Sequence, residues 1–77
     1  MMRFIIYIAF TMKLITKIKP QRRETGWTQA DLAAEVGVSR QTIISIEKGA
    51  CVPSTFLALK LARALNKPVE ELFTIIE

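Results

Sequence analysis

The chain has 77 residues, with 11 Lys and Arg against seven Asp and Glu, a formal net charge of +4 at pH 7, one cysteine and no histidine. This length allows one domain with a small core, and folding buries only about 60% of the unfolded surface of such a chain. The lone Cys51 and the lack of histidine exclude zinc sites of the Cys/His type, an intrachain disulfide and a nucleophile paired with a histidine base. We therefore expect no catalytic residue, no metal and no cofactor, so the protein is not expected to be an enzyme. The unpaired cysteine favours a reducing compartment, the cytoplasm.

The excess positive charge lies in residues 1–50, which carry eight basic and four acidic side chains, against three of each afterwards. A basic half of a domain favours a polyanion such as nucleic acid as partner, although an ordinary soluble surface can carry the same charge.

Residues 1–12 are predicted to be an apolar N-terminal extension, separate from a domain at residues 13–77. The run Phe4–Phe10 is aromatic and β-branched, which favours a strand. It is shorter than the roughly 20 apolar residues of a membrane span, and no small-residue cleavage site follows it, so neither a membrane anchor nor a signal peptide is indicated.

We predict a strand at Arg3–Phe10 that pairs with the tail Phe73–Ile76, within one chain or between two subunits. An alternative is that translation begins at Met12 and that residues 1–11 have no selected structure. Deletion of residues 1–11 should lower self-association measured by sedimentation, and an unchanged dimer mass would indicate that they are dispensable.

The first helix is predicted in the basic segment Lys17–Glu24. Proline is tolerated in the first turn of a helix but not in its interior. Because of Pro20, the helix should begin near Ile18 or Lys19 and end at about Thr25.

Residues 28–49 have the pattern of two short helices joined by a tight turn. Thr28 can cap the first helix, with Asp31 returning a hydrogen bond, and Ser39 can cap the second. Gly37 tolerates the left-handed backbone that ends the first helix and reverses the chain. This geometry is the helix-turn-helix.

Two further helices are predicted after Gly49. Ser54 can cap a helix through Leu65, and its apolar residues repeat at helical spacing, at Leu57, Leu61, Ala64 and Leu65. Pro68 is suited to the start of a short fifth helix that precedes the tail strand. Its inward residues should be Val69, Leu72 and Phe73.

The helix that begins after Ser39 has two faces. The residues expected to point inward, with Trp27 as an anchor in the core, are Val38, Ile43 and Ile46, packed against Leu32, Ala33 and Val36. The outward face offers side chains that can contact DNA bases: Arg40 suits guanine, Gln41 suits adenine, and Ser45 is a short adaptable contact.

Contacts to phosphate are predicted at Thr28, Gln29, Ser39, Thr42 and Lys48. Arg22 and Arg23 are expected to add positive charge.

Residues 18–73 resemble the Cro/repressor-type (xenobiotic response element) helix-turn-helix family, in particular its short stand-alone prokaryotic members. The resemblance rests on Gly26-Trp27-Thr28-Gln29, Leu32-Ala33, Val36 to Ile43, Ile46-Glu47-Lys48-Gly49, Pro53-Ser54, Leu59 to Ala62 and Leu72-Phe73. Pro20 and Gln21 depart from the family's helix-forming and apolar residues, and the segment before Met12 has no counterpart in the family core.

The resemblance implies an all-α, five-helix, repressor-like domain, to which a short N-terminal strand paired with a C-terminal strand can be added. It implies binding to operator DNA, generally as a homodimer on a two-fold site, with a phosphate contact at Gln29 and base contacts at Arg40, Gln41 and Ser45. It also implies a structural role for Glu47, which we expect to hold the following loop.

Two functional hypotheses remain at this point. The first is a sequence-specific transcriptional regulator, a repressor, that occupies double-stranded operator DNA through a recognition helix in the major groove. The alternative is an antitoxin-like protein-interaction module with a small protein partner, which binds DNA secondarily. Neither hypothesis involves a membrane.

Overall fold

The computed structural model describes residues 13–77, which form five helices and a two-stranded sheet. The elements in chain order are β1 (Lys13–Thr16), α1 (Ile18–Thr25), α2 (Gln29–Val36), α3 (Arg40–Glu47), α4 (Thr55–Leu65), α5 (Val69–Leu72) and β2 (Phe73–Ile76). The predicted fold class, five helices with a short strand pair, is confirmed.

The α2–α3 pair is shaped by its caps and by one glycine. The Thr28 hydroxyl accepts a hydrogen bond from the Asp31 N–H at 3.0 Å, and the Asp31 carboxylate accepts one from the Thr28 N–H at 2.9 Å. Ser39 caps α3 by accepting from the Thr42 N–H at 3.2 Å. Gly37 ends α2 with a φ of 74°, which side chains with a Cβ rarely adopt. The predicted helix-turn-helix is therefore present.

Helix α1 begins at Ile18, which places Pro20 in its first turn. Pro20 is the third residue of α1, in the first turn, where a missing backbone N–H costs no intrahelical hydrogen bond. The next residue, Gln21, already donates its N–H to the Lys17 carbonyl at 3.2 Å. The helix thus runs from Ile18 to Thr25, as the sequence predicts.

The core consists of small and medium-sized apolar side chains from all five helices. Its buried members are Ile18, Leu32, Ala33, Val36, Ile43, Ile46, Leu61, Leu65 and Leu72. Burial of each Leu, Ile or Val side chain contributes about 1.5 to 3 kcal/mol. Trp27 and Val38 are half-buried against this core, which confirms the role predicted for Trp27 as an anchor.

The sheet contains the predicted tail strand and a second strand, Lys13–Thr16, that the sequence did not predict. The tail strand is present, and it pairs antiparallel with Lys13–Thr16, in a register that places Leu14 opposite Ile75. The strand predicted at Arg3–Phe10 lies outside the described residues. The pairing follows from chain geometry: the Lys17 N–H donates to the Leu72 carbonyl at 2.8 Å, so the start of α1 and the end of α5 meet and their flanking segments align.

No helix formed by residues 13–77 is long and apolar enough to cross a membrane.

Candidate nucleic-acid interface

Helix α3 separates an apolar face from a polar one. Ile43 and Ile46 are fully buried, whereas Arg40 and Gln41 are exposed in its first turn. Ser45, one turn further along, is half-buried. With 3.6 residues per turn, Gln41 and Ser45 lie on the side of the helix opposite the buried isoleucines. Arg40 and Gln41 are thus exposed at the start of α3, and Ser45 lies one turn further along on the same side as Gln41.

The backbone of Ser45 also fixes the loop after α3. Its carbonyl accepts hydrogen bonds from the N–H groups of Ala50 at 2.9 Å and Cys51 at 3.3 Å. The loop is consequently held by main-chain contacts to the last turns of the helix.

Four of the five predicted phosphate-contacting residues lie at helix N-termini. Thr28 and Gln29 begin α2, while Ser39 and Thr42 begin α3 with their hydroxyls 2.9 Å apart. The positive end of a helix dipole and its free N–H groups favour an anion at these positions. Lys48 is exposed at the other end of α3, so the predicted set spans the length of that helix.

A buried ion pair ties α1 to the end of α3. Arg22 donates through Nε to Glu47 Oε2 at 2.6 Å and through Nη2 to Oε1 at 3.3 Å. It also donates through Nη1 to the Trp27 carbonyl at 2.8 Å. Only 9% and 3% of the Arg22 and Glu47 side chains are exposed.

These contacts correct two expectations from the sequence. Arg22 is a buried partner of Glu47 rather than a free surface charge, since three of its nitrogens are hydrogen-bonded within the protein. Glu47 is structural, but its hydrogen bonds link α1 and α2 to α3, whereas the loop after α3 is held by the Ser45 carbonyl. Arg23, in contrast, is exposed.

The ion pair continues outward to the predicted base-contacting arginine. Gln29 Nε2 donates to Glu47 Oε1 at 3.0 Å, and Gln29 Oε1 accepts from Arg40 Nη2 at 3.4 Å. We call Arg22, Glu47, Gln29 and Arg40 the polar chain. It joins three helices and runs from the buried pair to an exposed guanidinium.

The surroundings of Glu47 favour its charged form. Burial alone would raise the pKa of this carboxyl, but hydrogen bonds from Arg22 and Gln29, together with the charges of Arg22 and Lys19, hold the pKa below its ordinary value. The pKa of the Asp31 carboxyl is also lowered, because it accepts the Thr28 backbone N–H. Both carboxylates are therefore ionised at neutral pH.

A basic depression adjoins the start of α2. It is lined by Lys19, Arg22, Arg23, Thr28, Gln29, Ala30 and Arg40. The charge of Arg22 is offset by Glu47, but Lys19, Arg23 and Arg40 are also cationic and no lining side chain is acidic, so the depression suits an anion such as a phosphate group. Lys19 was not among the predicted site residues, and it reaches the site because α1 packs beside α2 and α3.

One sequence signal could have identified Glu47 as part of the site. A carboxylate in the last turn of a helix faces the negative end of the helix dipole, which is unfavourable without a cationic partner. The signal indicates that a partner exists, but it does not single out Arg22 among 11 basic residues.

Among the residues that the structure describes, no group of three or more His, Cys, Asp or Glu side chains is placed to hold a metal ion.

Comparison with known proteins also indicates a helix-turn-helix domain. Residues 18–72 match the helix-turn-helix family of the Cro/C1 type. An uncharacterized HTH-type transcriptional regulator of Methanothermobacter thermautotrophicus is 49% identical over 63 residues, which cover 80% of this chain and 91% of that protein. The uncharacterized HTH-type transcriptional regulator YgzD of Bacillus subtilis is 44% identical over 61 residues, 79% of this chain and 92% of its own length. A similarly named protein of Methanocaldococcus jannaschii is 49% identical over 57 residues, 74% of this chain and 86% of its own length. The chain therefore belongs to the Cro/repressor-type family of helix-turn-helix transcriptional regulators.

Proposed function

We propose that this protein is a transcriptional regulator that occupies operator DNA by placing α3 in the major groove. In this proposal Arg40, Gln41 and Ser45 contact base edges. Occupation of the operator would exclude other proteins from the same DNA, so we propose repression as its consequence, in the cytoplasm of a prokaryotic cell.

The observation that carries this proposal is the exposed polar start of α3 above a buried apolar face. Arg40 and Gln41 extend from the first turn, and Ile43 and Ile46 fix the helix to the core. A guanidinium can donate two hydrogen bonds to guanine and a side-chain amide can pair with adenine, each contributing about 1 to 3 kcal/mol of discrimination.

The phosphate contacts are proposed on both sides of that helix. Thr28, Gln29, Ser39 and Thr42 present hydroxyls, an amide and helix N-termini, while Lys48 supplies a positive charge at the opposite end of α3. Such contacts orient the protein on the duplex without selecting sequence.

The test is a selection of duplexes from a randomised DNA library, followed by titration of the best duplex and its single base-pair variants at several salt concentrations. Arg40→Ala should abolish preference at one base pair, whereas Lys48→Ala should weaken all duplexes by the same factor and lower the salt slope by about one. An equal loss on every sequence for Arg40→Ala would overturn its base contact.

We also propose that two copies bind together. Two bidentate contacts give about 2 to 6 kcal/mol of discrimination, whereas specific DNA binding exceeds non-specific binding by about 4 to 10 kcal/mol. A second copy doubles the contacts and brings the total into that range.

The face available for a second copy is an apolar groove between the sheet and α4. It is lined by Leu14, Val52, Pro53, Thr55, Ala58, Leu59, Val69 and Phe73. Val52 and Leu59 are largely exposed, and so is the neighbouring Phe56. Association of two copies would remove these apolar side chains from water.

We further propose that residues 1–12 form an extension distinct from the domain at 13–77.

A further inference from the structure

The apolar groove between the sheet and α4 lies beside the point where the chain enters β1. Leu14, the second residue of β1, lines the groove together with Val69 and Phe73. Val52 and Leu59, from α4 and the loop before it, also line the groove and are largely exposed. The residues that precede Lys13 are therefore joined directly to the lining of the groove.

Residues 4–10, which we call the N-terminal segment, lie outside the described residues, but their sequence continues the apolar pattern of β1. Side chains of an extended chain alternate between two sides. The side that carries Leu14 would continue with large apolar residues, namely Met12, Phe10, Ile8, Ile6 and Phe4. The opposite side would carry Lys13, Thr11 and Ala9 before any large apolar residue. The sequence thus extends the surface that lines the groove beyond the described sheet.

The geometry of β1 directs the N-terminal segment away from the groove of its own copy. The β2 edge next to β1 is already paired with Lys13–Thr16, so the segment cannot pair with the tail along that edge. Entry into its own groove would require the chain to reverse between Phe10 and Leu14. None of Gly, Pro, Asn, Asp or Ser, the residues that favour tight turns, occurs there. Because β1 runs towards α1, an extended chain before Lys13 leads away from the helices of its own copy.

We propose that the N-terminal segment of one copy docks in the apolar groove of a second copy, with the side of Phe4, Ile6, Ile8 and Phe10 against Val52 and Leu59. This inference rests on the proposed association of two copies, and it names the segment that occupies the groove. In a two-fold dimer the contact is reciprocal, so each copy covers the groove of the other.

The contact would remove two apolar surfaces from water at once. Seven extended residues span about 23 Å, and an unpaired apolar strand of this length favours aggregation. The groove exposes apolar side chains of its own, at Val52 and Leu59. Each surface therefore supplies the cover that the other requires.

The first test places the photoreactive residue p-benzoylphenylalanine at Phe4 of the full chain. This protein is mixed with isotope-labelled copies that lack the photoreactive residue, and mass spectrometry then identifies the cross-linked peptides and the copy to which each belongs. We expect cross-links to residues 52–59 of the labelled copy. The same photoreactive residue at Ala34, exposed on α2, is the control and should not reach those residues.

Other cross-linking results would overturn the proposal. These are cross-links to the groove of the same copy, to the tail strand, to a second N-terminal segment, or to no residue. An intact mass beginning at Met12, for protein isolated from its own cells, would overturn it as well.

A second test measures the contact by sedimentation of full-length variants. Ile6→Lys should raise the dissociation constant of the dimer about tenfold, a cost of about 1.4 kcal/mol. Ala9→Lys, on the opposite side of the segment, is the control and should have a smaller effect. Combined with Leu59→Glu, Ile6→Lys should cost less than the product of the two separate factors, because the new charges attract each other. Effects that multiply would contradict the contact.

Sedimentation of the parent chain separates this inference from the proposed function. If the parent sediments as a single copy at every concentration, the proposed association fails, and this inference fails with it. If the parent sediments as two copies and the cross-link from Phe4 to residues 52–59 does not form, only the docking of the N-terminal segment fails.

Discussion

The outward side chains of the α2–α3 face differ in polarity and in hydrogen bonding from those of the face formed by the sheet and α4. On the α2–α3 face, Arg40 is linked to the core through Gln29 and Glu47. On the other face, Val52, Phe56 and Leu59 have 73%, 72% and 54% of their surface exposed. The first face is polar and restrained by hydrogen bonds, and the second is apolar and open to water.

The two faces therefore favour different kinds of partner. Directional donors held in advance favour a polar ligand with a fixed pattern of acceptors, such as the edges of base pairs. Apolar side chains carry no such pattern and favour whatever removes them from water, for which we propose a second copy of the chain.

The largest effect is expected from Glu47→Ala, which leaves the Arg22 guanidinium buried without its carboxylate. We expect a loss of about 3 kcal/mol in the free energy of unfolding, the lower end for a broken buried pair. Urea unfolding measures it. Glu35→Ala, at an exposed position of α2, is the control and should stay within about 0.5 kcal/mol of the parent. A loss for Glu47→Ala no larger than that of the control would mean that the pair does not stabilise the fold.

Replacement of Leu59 by Glu tests the apolar face. The new charge would be buried in the proposed interface, so we expect the dissociation constant of the dimer to rise about tenfold or more, a cost of at least about 1.4 kcal/mol. Sedimentation over a concentration series measures it. Ala34→Glu adds the same charge at an exposed position of α2 and should leave the dimer unchanged. Equal effects of the two variants would argue against this face.

Two of the side-chain caps, Thr28 and Ser54, form a matched pair, one on each face. Each accepts a hydrogen bond from the backbone N–H three residues later, at 3.0 and 3.1 Å. Replacement of either by Ala should lower the free energy of unfolding by about 1 kcal/mol. Only Thr28→Ala should also weaken DNA binding, measured by titration. A similar loss of affinity in Ser54→Ala would show that the effect reflects stability alone.

The smallest effect is expected from acid. A carboxyl whose pKa is lower in the folded state stabilises the fold above the unfolded pKa of about 4.3, and this contribution is lost as the pH falls through the folded pKa. The free energy of unfolding should therefore fall between pH 7 and pH 3, and fall less in Glu47→Gln, since the lowered pKa of Glu47 is then absent. The decrease in the free energy of unfolding that remains should include the contribution of Asp31, whose pKa is also lowered. An identical fall in both proteins would remove Glu47 as a cause.

Local features of the fold were predictable from the sequence. The capping contacts of Thr28, Ser39 and Ser54 join residues three apart, and the Gly37 turn depends on the absence of one side chain. The limit that Pro20 places on the start of α1 was also predictable. Each is a short-range interaction between residue types with strong preferences, so the five helices and the buried residues of α2 and α3 follow from the pattern.

Strand β1 was not predictable in this way. Its four residues have no hydrogen bonds among themselves, and Leu14 and Ile15 fit a helix or a strand equally well. The segment becomes a strand because β2 lies beside it, which depends on how α1 and α5 are packed. Phe4–Phe10 shows a stronger strand pattern, but it lies outside the described residues.

Capping and helix periodicity act over three or four residues, so the sequence alone predicted the helix-turn-helix and the exposure of Arg40 and Gln41 at the start of α3. The pairing of Arg22 with Glu47, 25 residues away, and the link from this pair through Gln29 to Arg40 depend on how the helices pack. Several charged side chains are available for each such contact, and the packing of three helices selects among them.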